Sequence, residues 1–447
     1  MSLAQSQLNA AIAAGAQRIR GAPADYDGLL DMIGDAHYVL LGEATHGTHE
    51  FYEERARITQ RLIAEKGFTA VAVEADWPDA YRVNRYVRGE GDDHDAASAL
   101  AGFQRFPSWM WRNADVVNFV DWLRGYNDRQ EPGARVGFYG LDLYSLFTSM
   151  SEVLRYLDDV DPDAAGEARQ RYGCFDHYGD DSQQYAYAAG IGHSESCQHE
   201  VIAQLHELQQ RAADYMRQDG IAASDAFFYA QQNARLVKNA EEYYRTMFRG
   251  RISSWNLRDK HMSETLDALS VHLGETRGAA PRVVVWEHNS HVGDARATEI
   301  GRQGEWNVGE LSRKRYGDDA FLVGFSTYDG WVTAASDWDG PAERKQVRPA
   351  LPGSYEDVFH QTGIGNFVLP MRGDGAVREA LSEQRLERAI GVLYLPRTER
   401  QSHYFMADLP QQFDAMIHFD STDAVQPLEP TSHWDTGEAP ETYPVGL

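Results

Sequence analysis

Short runs of consecutive apolar residues alternate along this chain with segments in which apolar residues recur every three or four positions. The apolar runs predict strands, and they lie at His37–Gly42, Thr69–Glu74, Arg135–Leu141, Arg282–Glu287 and Ala320–Phe325. The segments between them predict helices, among them Glu50–Glu65, Asp79–Val87 and Val116–Tyr126. Near-continuous apolar strands that alternate with helices are typical of a mainly parallel sheet covered by helices on both faces. The pattern therefore predicts an α/β fold.

The alternation stops after the third predicted strand. Residues 151–279 are polar and carry long helical patterns, at Glu200–Gln218, Ser224–Phe248 and Leu257–Leu273, which predict an inserted helical bundle. After residue 330 the elements become shorter, with strands predicted at Asn366–Leu369 and Ala389–Tyr394. We therefore expect an α/β core in residues 1–150 and 280–330, the helical insertion, a small α+β portion in residues 331–425, and a tail in residues 426–447.

Charge and composition narrow the range of partners. The 447 residues include 42 Lys and Arg against 68 Asp and Glu, a formal net charge of −26. This charge repels phosphate, so neither a nucleic acid nor an anionic membrane is an expected partner. No apolar run approaches the ~18 residues of a membrane span. Two cysteines are too few for a disulfide framework and predict a reducing compartment, hence a cytoplasmic protein. The sequence predicts no particular oligomeric state.

Acids and histidines follow the predicted strands. Glu43 and His46 come after the first strand, Glu74 ends the second, and His288 and His291 follow the fourth. In open α/β sheets ligands bind outside the carboxyl ends of the strands. An acid at such a place is also a common first-turn residue of the next helix, where it complements the helix dipole. The whole set at one sheet edge nevertheless favours a functional site.

Such a set supports proton transfer. A neutral imidazole takes a proton from water, and a neighbouring carboxylate fixes its tautomer. Arg55, in the helix after the first strand, could reach the same edge and neutralise an oxyanion. The alternative is a surface ion pair with Glu53 or Glu54, although neither acid shares the helix face of Arg55 well. The chain has no G-x-S-x-G, P-loop, G-x-G-x-x-G or H-E-x-x-H motif, so no cofactor is predicted.

A second group of residues has the composition of a zinc site: Cys174, His177, His193, Cys197 and His199. Its spacing lacks the close cysteine pairs that form zinc knuckles. Two buried thiols and solvated histidines are the favoured interpretation.

Long blocks of the chain resemble the erythromycin esterase family. They are LLGEATHGTHEFYEERARITQRL, VAVEADWPDAYRVNRYV, NAEEYYRTMFRGRISSWNLRDKHMSETL and VVVWEHNSHVGDARAT, within a resemblance that extends from about His37 to Asp420. The resemblance implies an α/β core with an inserted helical bundle. It also implies hydrolysis of a small-molecule ester or lactone, such as a macrolide ring, by activated water without a covalent enzyme intermediate.

The resemblance also assigns roles to residues. His46 matches the family's general base and Glu43 its companion acid, and further catalytic positions match Glu74, Arg55 and His288. His291 matches another active-site position. We expect His291, Asp76 and Trp77 to contact the substrate and no metal to be bound.

Two alternatives remain open at this point. In the first, the same acids and histidines hold Mn²⁺, Zn²⁺ or Fe²⁺ in a metal-dependent hydrolase. In the second, the pocket captures a small ligand without catalysis. The presence of both the acids and the histidines favours an enzyme, because a binding protein has no need for a base with an orienting carboxylate.

Overall fold

The computed structural model describes residues 3–178, 182–190, 196–215, 220–247, 251–373, 375–431 and 434. In these residues the strands are β1 Gln17–Arg18, β2 Tyr38–Leu41, β3 Ala70–Asp76, β4 Gly137–Asp142, β5 Val283–Trp286, β6 Ala320–Ala334, β7 Glu343–Val347, β8 Phe367–Pro370, β9 Arg385–Arg388, β10 Tyr404–Ala407 and β11 Ala415–Thr422.

The helices frame these strands. Those before β5 are α1 Leu3–Gly15, α2 Asp27–Ile33, α3 His49–Lys66, α4 Trp77–Val87, α5 Ala96–Ala99, α6 Ala114–Asn127, α7 Leu146–Val160, α8 Pro162–Tyr172, α9 Ser182–Gly190, α10 Gln198–Gln210, α11 Ala212–Tyr215, α12 Gly220–Thr246 and α13 Arg251–Arg277. Those after β5 are α14 Asn289–Val292, α15 Glu299–Arg302, α16 Val308–Tyr316, α17 Tyr355–His360, α18 Ala376–Ala380, α19 Glu399–Ser402 and α20 Leu409–Gln412. The long helices α7, α12 and α13 therefore all lie between β4 and β5.

The main sheet is mixed, with a parallel centre. Its strand order is β1-β8-β11-β6-β2-β5-β3-β4, and β7 pairs with β6 outside this path. The strands from β11 to β4 run parallel to their neighbours, whereas β8, β1 and β7 pair antiparallel. The parallel strands β2, β5 and β3 are consecutive, so their carboxyl ends share one edge.

The centre of the sheet is buried on both faces. Tyr38 and Leu40 of β2 pack into one hydrophobic cluster, and Val39 and Leu41 pack into another. Side chains alternate across a strand, so two clusters mean that helices cover both faces. This arrangement confirms the predicted α/β fold and explains why the strands read as uninterrupted apolar runs.

Two predictions about local structure were wrong. No strand forms over Ala389–Tyr394, where the described backbone makes only isolated bridges, Ile390 to Thr45 and Leu393 to Ala335. Ile390 and Tyr394 are instead buried beside β6 and β7, so burial of a loop produced the apolar pattern. Cys174 and Cys197 are joined in a disulfide with Cα atoms 5.9 Å apart, and are therefore not two free thiols or zinc ligands. His193 lies outside the described residues.

The predicted tail is partly anchored. Leu428 N donates to Arg112 O at 2.9 Å, and Trp434 Nε1 donates to Thr333 Oγ1 at 2.7 Å. Residues 435–447 lie outside the described part of the chain. Among the helices that the structure describes, none combines the length and the apolar character that crossing a membrane requires.

Candidate active site

The loop after β2 holds a hydrogen-bonded chain of Arg55, Glu43 and His46. His46 Nδ1 lies 2.8 Å from Glu43 Oε1, and Arg55 Nη2 donates to Glu43 Oε2 at 2.5 Å. All three side chains are buried. A carboxylate on Nδ1 fixes the proton there, which leaves Nε2 as the acceptor nitrogen of the neutral ring. Within the described residues Nε2 makes no hydrogen bond and lies 4.0 Å from Glu74 Oε1.

Glycines allow this loop to approach its neighbours closely. A Cβ at Gly47 would collide with the carbonyl of Thr333, and a Cβ at Gly42 would collide with the amide oxygen of Asn289. Asn289 in turn donates to Phe325 O at 2.7 Å, and its backbone N donates to Glu43 O at 2.8 Å. The loops after β2 and β5 are thereby fixed to each other and to strand β6.

Glu74, near the end of β3, occupies the middle of the site. Its Oε2 accepts a hydrogen bond from His288 N at 2.8 Å, and its Oε1 accepts one from Arg258 Nη2 at 2.8 Å. Burial alone would raise the pKa of Glu74, but His291, His46 and Arg258 oppose burial and hold this pKa well below its usual range. Glu74 is therefore ionised although it is buried.

His288 presents a hydrogen-bond donor. Ser290 N donates to His288 Nδ1 at 3.2 Å, and Ser290 Oγ lies 2.8 Å from the same nitrogen. Burial is the largest of the effects that lower the pKa of His288 to about 3, and it outweighs the opposing charge of Glu74. The ring is therefore neutral, and because Nδ1 accepts, its proton is on Nε2. That nitrogen is buried and makes no hydrogen bond within the described residues.

Arg258, from α13, connects the acids at the ends of two strands. Its Nε donates to Asp142 Oδ1 at 3.0 Å and its Nη2 to Asp142 Oδ2 at 2.6 Å, while the same Nη2 also reaches Glu74. Its Cζ lies 5.0 Å from the ring centroid of Tyr144. A bidentate guanidinium–carboxylate pair of this kind is geometrically specific. Arg258 thus ties the helical insertion to the carboxyl ends of β3 and β4.

His291 forms a second histidine–carboxylate pair. Its Nδ1 lies 2.9 Å from Asp259 Oδ1, its ring stacks on Trp255 with centroids 4.5 Å apart, and its Nε2 lies between Arg258 Nη1 at 3.1 Å and Glu74 Oε1 at 3.5 Å. Burial lowers the pKa of His291, but Asp259 and Glu74 outweigh it, so the pKa is raised. Arg258 and Glu74 therefore enclose Nε2 of His291.

Glu287, directly after β5, differs from Glu74. It is buried, and neither of its oxygens has a hydrogen-bond partner within the described residues. Burial, and then the negative charge of Glu74, raise the pKa of Glu287 well above its usual range. Glu287 is therefore neutral, whereas Glu74 is charged.

A cavity of about 1120 Å³ opens beside these groups. His46, Glu74, Asp76, His288 and His291 line it. Glu43 and Arg55 lie behind His46, so Arg55 neutralises Glu43 and does not reach the cavity as predicted for an oxyanion partner. Pockets for drug-sized ligands measure roughly 300–1,000 Å³. The cavity can therefore hold a bulky substrate.

The structure does not bring Trp77 to the cavity. Its ring packs parallel to Tyr139 and Tyr229, with centroids 6.0 and 6.4 Å away, and its Nε1 donates to Tyr229 O at 3.4 Å. Asp76 does line the cavity, where Arg105 Nη1 donates to its Oδ2 at 2.9 Å.

Comparison with known proteins identifies the family. A family model described as erythromycin esterase matches residues 63–422, which is most of the chain. The chain belongs to the erythromycin esterase family. It is thus a hydrolase that acts on ester bonds. A curated relative, erythromycin esterase type II of Escherichia coli, is 23% identical over 414 residues, which cover 89% of this chain and 88% of that protein.

Solved structures share the fold. A succinoglycan biosynthesis protein has a TM-score of 0.77 at 20% identity, covering 95% of this chain and 99% of its own. A Bacillus cereus protein has a TM-score of 0.76, also at 20% identity and with the same coverage. A mutant of the erythromycin esterase EreC in its open conformation has a TM-score of 0.65 at 16% identity, covering 90% of this chain and 94% of that one.

Sequence reasoning missed two residues of this esterase-family site, Arg258 and Asp259. They are adjacent near the start of α13, in a segment predicted only as helix. One sequence signal could have indicated them. In the block SSWNLRDK two charged residues follow a tryptophan within a predicted helix. The strand-end rule could not select them, because they do not follow a strand.

The acids of this esterase-family site are already engaged by protein groups. Glu43 holds His46 and Arg55, and Glu74 holds Arg258 and the backbone of His288. Among the residues that the structure describes, no group of three or more His, Cys, Asp or Glu side chains is arranged to hold a metal ion.

Proposed function

We propose that this protein hydrolyses an ester or lactone by direct attack of a water molecule that His46 deprotonates. The observation that carries this proposal is the Arg55–Glu43–His46 chain. It fixes the proton of the neutral ring on Nδ1 and presents Nε2 to the cavity. A base with an orienting carboxylate is the arrangement that general-base catalysis needs.

The reaction follows from these positions. Nε2 of His46 takes one proton of the water while the water oxygen forms a bond to the ester carbonyl carbon. Glu43 stabilises the imidazolium that results, and Arg55 donates a hydrogen bond to the outer oxygen of Glu43 in its buried position. When the carbon–oxygen bond to the alcohol breaks, His46 returns the proton to the departing oxygen. The enzyme forms no covalent bond to the substrate.

His288 supplies the complementary group. Its Nε2–H is buried beside the cavity without a partner, and the rings of His46 and His288 lie 4.8 Å apart. A carbonyl oxygen that accepted this donor would place its carbon close to water held by His46. A fixed donor aimed at a developing oxyanion stabilises the transition state more than the ground state.

The substrate is proposed to have a bulky acyl or alcohol part. The cavity volume supports this, as does the apolar lining provided by Phe103, Phe106, Met110, Trp111 and Trp255. Two relatives are described as erythromycin esterases, so a macrolide lactone is the first candidate to assay.

Turnover of aryl esters and macrolactones by the purified protein, before and after exhaustive chelation, tests this function. We expect release of a carboxylate and an alcohol at the same rate in both samples. Absence of hydrolysis across both substrate classes would refute the proposal. Loss of activity on chelation, restored by one transition metal, would favour the metal-dependent alternative.

A further inference from the structure

One acid of the cavity wall has no cationic partner. Asp79 lies in the first turn of α4 and lines the cavity beside Asp76. No hydrogen bond or ion pair joins its carboxyl group to the part of the chain that the structure describes. The other acids at this end are paired, Asp76 with Arg105 and Asp142 with Arg258.

The surroundings of Asp79 favour a cation. Aromatic side chains line the same cavity as Asp79: Phe103, Phe106, Tyr144, Tyr243 and Tyr244. The faces of such rings attract ammonium groups. Both guanidinium groups that line the cavity, Arg105 and Arg258, already have carboxylate partners and lie 5.3 and 5.0 Å from the ring of Tyr144.

From this arrangement we infer that Asp79 is a specificity-determining residue that binds a cationic amine on the substrate. The inference rests on the proposed hydrolase function, since the amine would be bound while His46 acts on the ester. An ammonium group would give Asp79 the partner that the protein does not provide.

The charges around Asp79 also predict a pH dependence. Burial, followed by the charge of Asp76, raises the pKa of Asp79 to about 7, while Arg105 and Arg82 lower it and Glu152 raises it slightly. Asp79 is therefore mostly protonated below pH 7 and mostly ionised above it. Binding of an amine needs the ionised form, so affinity for a cation should improve as the pH rises through this range.

Two 4-nitrophenyl esters of matched shape test the inference, one ending in a trimethylammonium group and the other in the uncharged tert-butyl group. For Asp79→Asn we expect KM for the cationic ester to rise roughly tenfold, because the ammonium group loses its carboxylate partner. We expect KM for the neutral ester and kcat for both esters to stay within about twofold. In the wild type, KM for the cationic ester alone should fall from pH 6 to pH 8.

A control separates this role from helix stabilisation. Asp163→Asn removes a first-turn acid of α8 that lies away from the cavity, and it should leave both KM values unchanged. The inference would be overturned if Asp79→Asn changed KM equally for the two esters, or if it changed KM for neither of them. The neutral ester reports on the hydrolase function separately, because its turnover does not require the amine.

Discussion

The site contains two histidine–carboxylate pairs that look alike and differ in what surrounds the far nitrogen of each ring. In the first, His46 Nδ1 meets Glu43 at 2.8 Å, and Arg55 sits on the outer oxygen of that carboxylate. In the second, His291 Nδ1 meets Asp259 at 2.9 Å, but the arginine lies on the other side of the ring.

We propose that this difference decides which ring acts as the base. Arg55 stabilises the carboxylate and leaves Nε2 of His46 open to the cavity, whereas Arg258 and Glu74 enclose Nε2 of His291. The pKa of His291 is also raised, by Asp259 and Glu74 acting against burial. In this proposal the position of the arginine, rather than the histidine–carboxylate pair alone, distinguishes the base, His46, from His291, which positions its neighbours.

The largest expected effect comes from exchanging the two histidines for an amide of similar volume. His46→Asn should lower kcat/KM by roughly 10²–10⁴-fold, since it removes the base. His291→Asn should cost at least about tenfold less than this, because His291 positions Glu74 and Arg258 without accepting a proton. Steady-state kinetics on one ester, with unfolding midpoints to verify folding, measure both. A larger loss in His291→Asn would reverse the assignment.

Arg258→Met tests the second pair through stability. It leaves Asp142 and Glu74 buried without their cation, so we expect the free energy of unfolding to fall by about 3–5 kcal/mol. Arg105→Met is the matched control. Arg105 is 45% exposed, and its pair with Asp76 should contribute less than about 1 kcal/mol. Denaturant unfolding gives both values. Equal losses of stability in the two variants would show that the buried ion pairs of Arg258 contribute no more than the exposed pair of Arg105.

Glu43→Gln sharpens the account of the first pair. The amide keeps the shape of Glu43 but cannot stabilise an imidazolium, so kcat should fall by about a hundredfold, less than in His46→Asn because the imidazole remains. KM should change little. The same substitution at the second pair, Asp259→Asn, is the comparison, and a greater loss of kcat there than in Glu43→Gln would contradict the proposed roles.

The smallest expected effect concerns the two buried acids that differ in charge, Glu74 and Glu287. Burial and the charge of Glu74 raise the pKa of Glu287 in the folded protein. The contribution of Glu287 to stability is therefore fully present below its ordinary pKa. It is lost as the pH rises through the pKa that Glu287 has in the folded protein. The Glu287→Gln variant cannot ionise at this position, so it should not lose this stability as the pH rises. The unfolding midpoint of the variant relative to wild type should increase by about 1–2 °C from pH 4 to pH 8. The exposed Glu275→Gln should show no such trend.

The strand-end pattern predicted that Glu43, His46, Glu74 and His288 lie close together, because the carboxyl ends of parallel strands meet at one edge of a sheet. It could not select Arg258, which lies 116 positions from Asp142. The face that a long helix turns toward the site depends on packing among elements that are distant in sequence. Tertiary packing also explains two other differences from the sequence prediction. Trp77 follows a strand but packs into the core, and the segment around Ile390 has the apolar pattern of a strand but forms a buried loop.

The proton positions on the histidine rings test the central claim most directly. We predict from ¹⁵N spectra of histidine-labelled protein at neutral pH that His46 carries its proton on Nδ1 and that His288 carries its proton on Nε2. Signals are assigned by comparison with His46→Asn and His288→Asn. A His46 ring with its proton on Nε2 would have no lone pair facing the cavity, and it would contradict the proposal that this ring activates water.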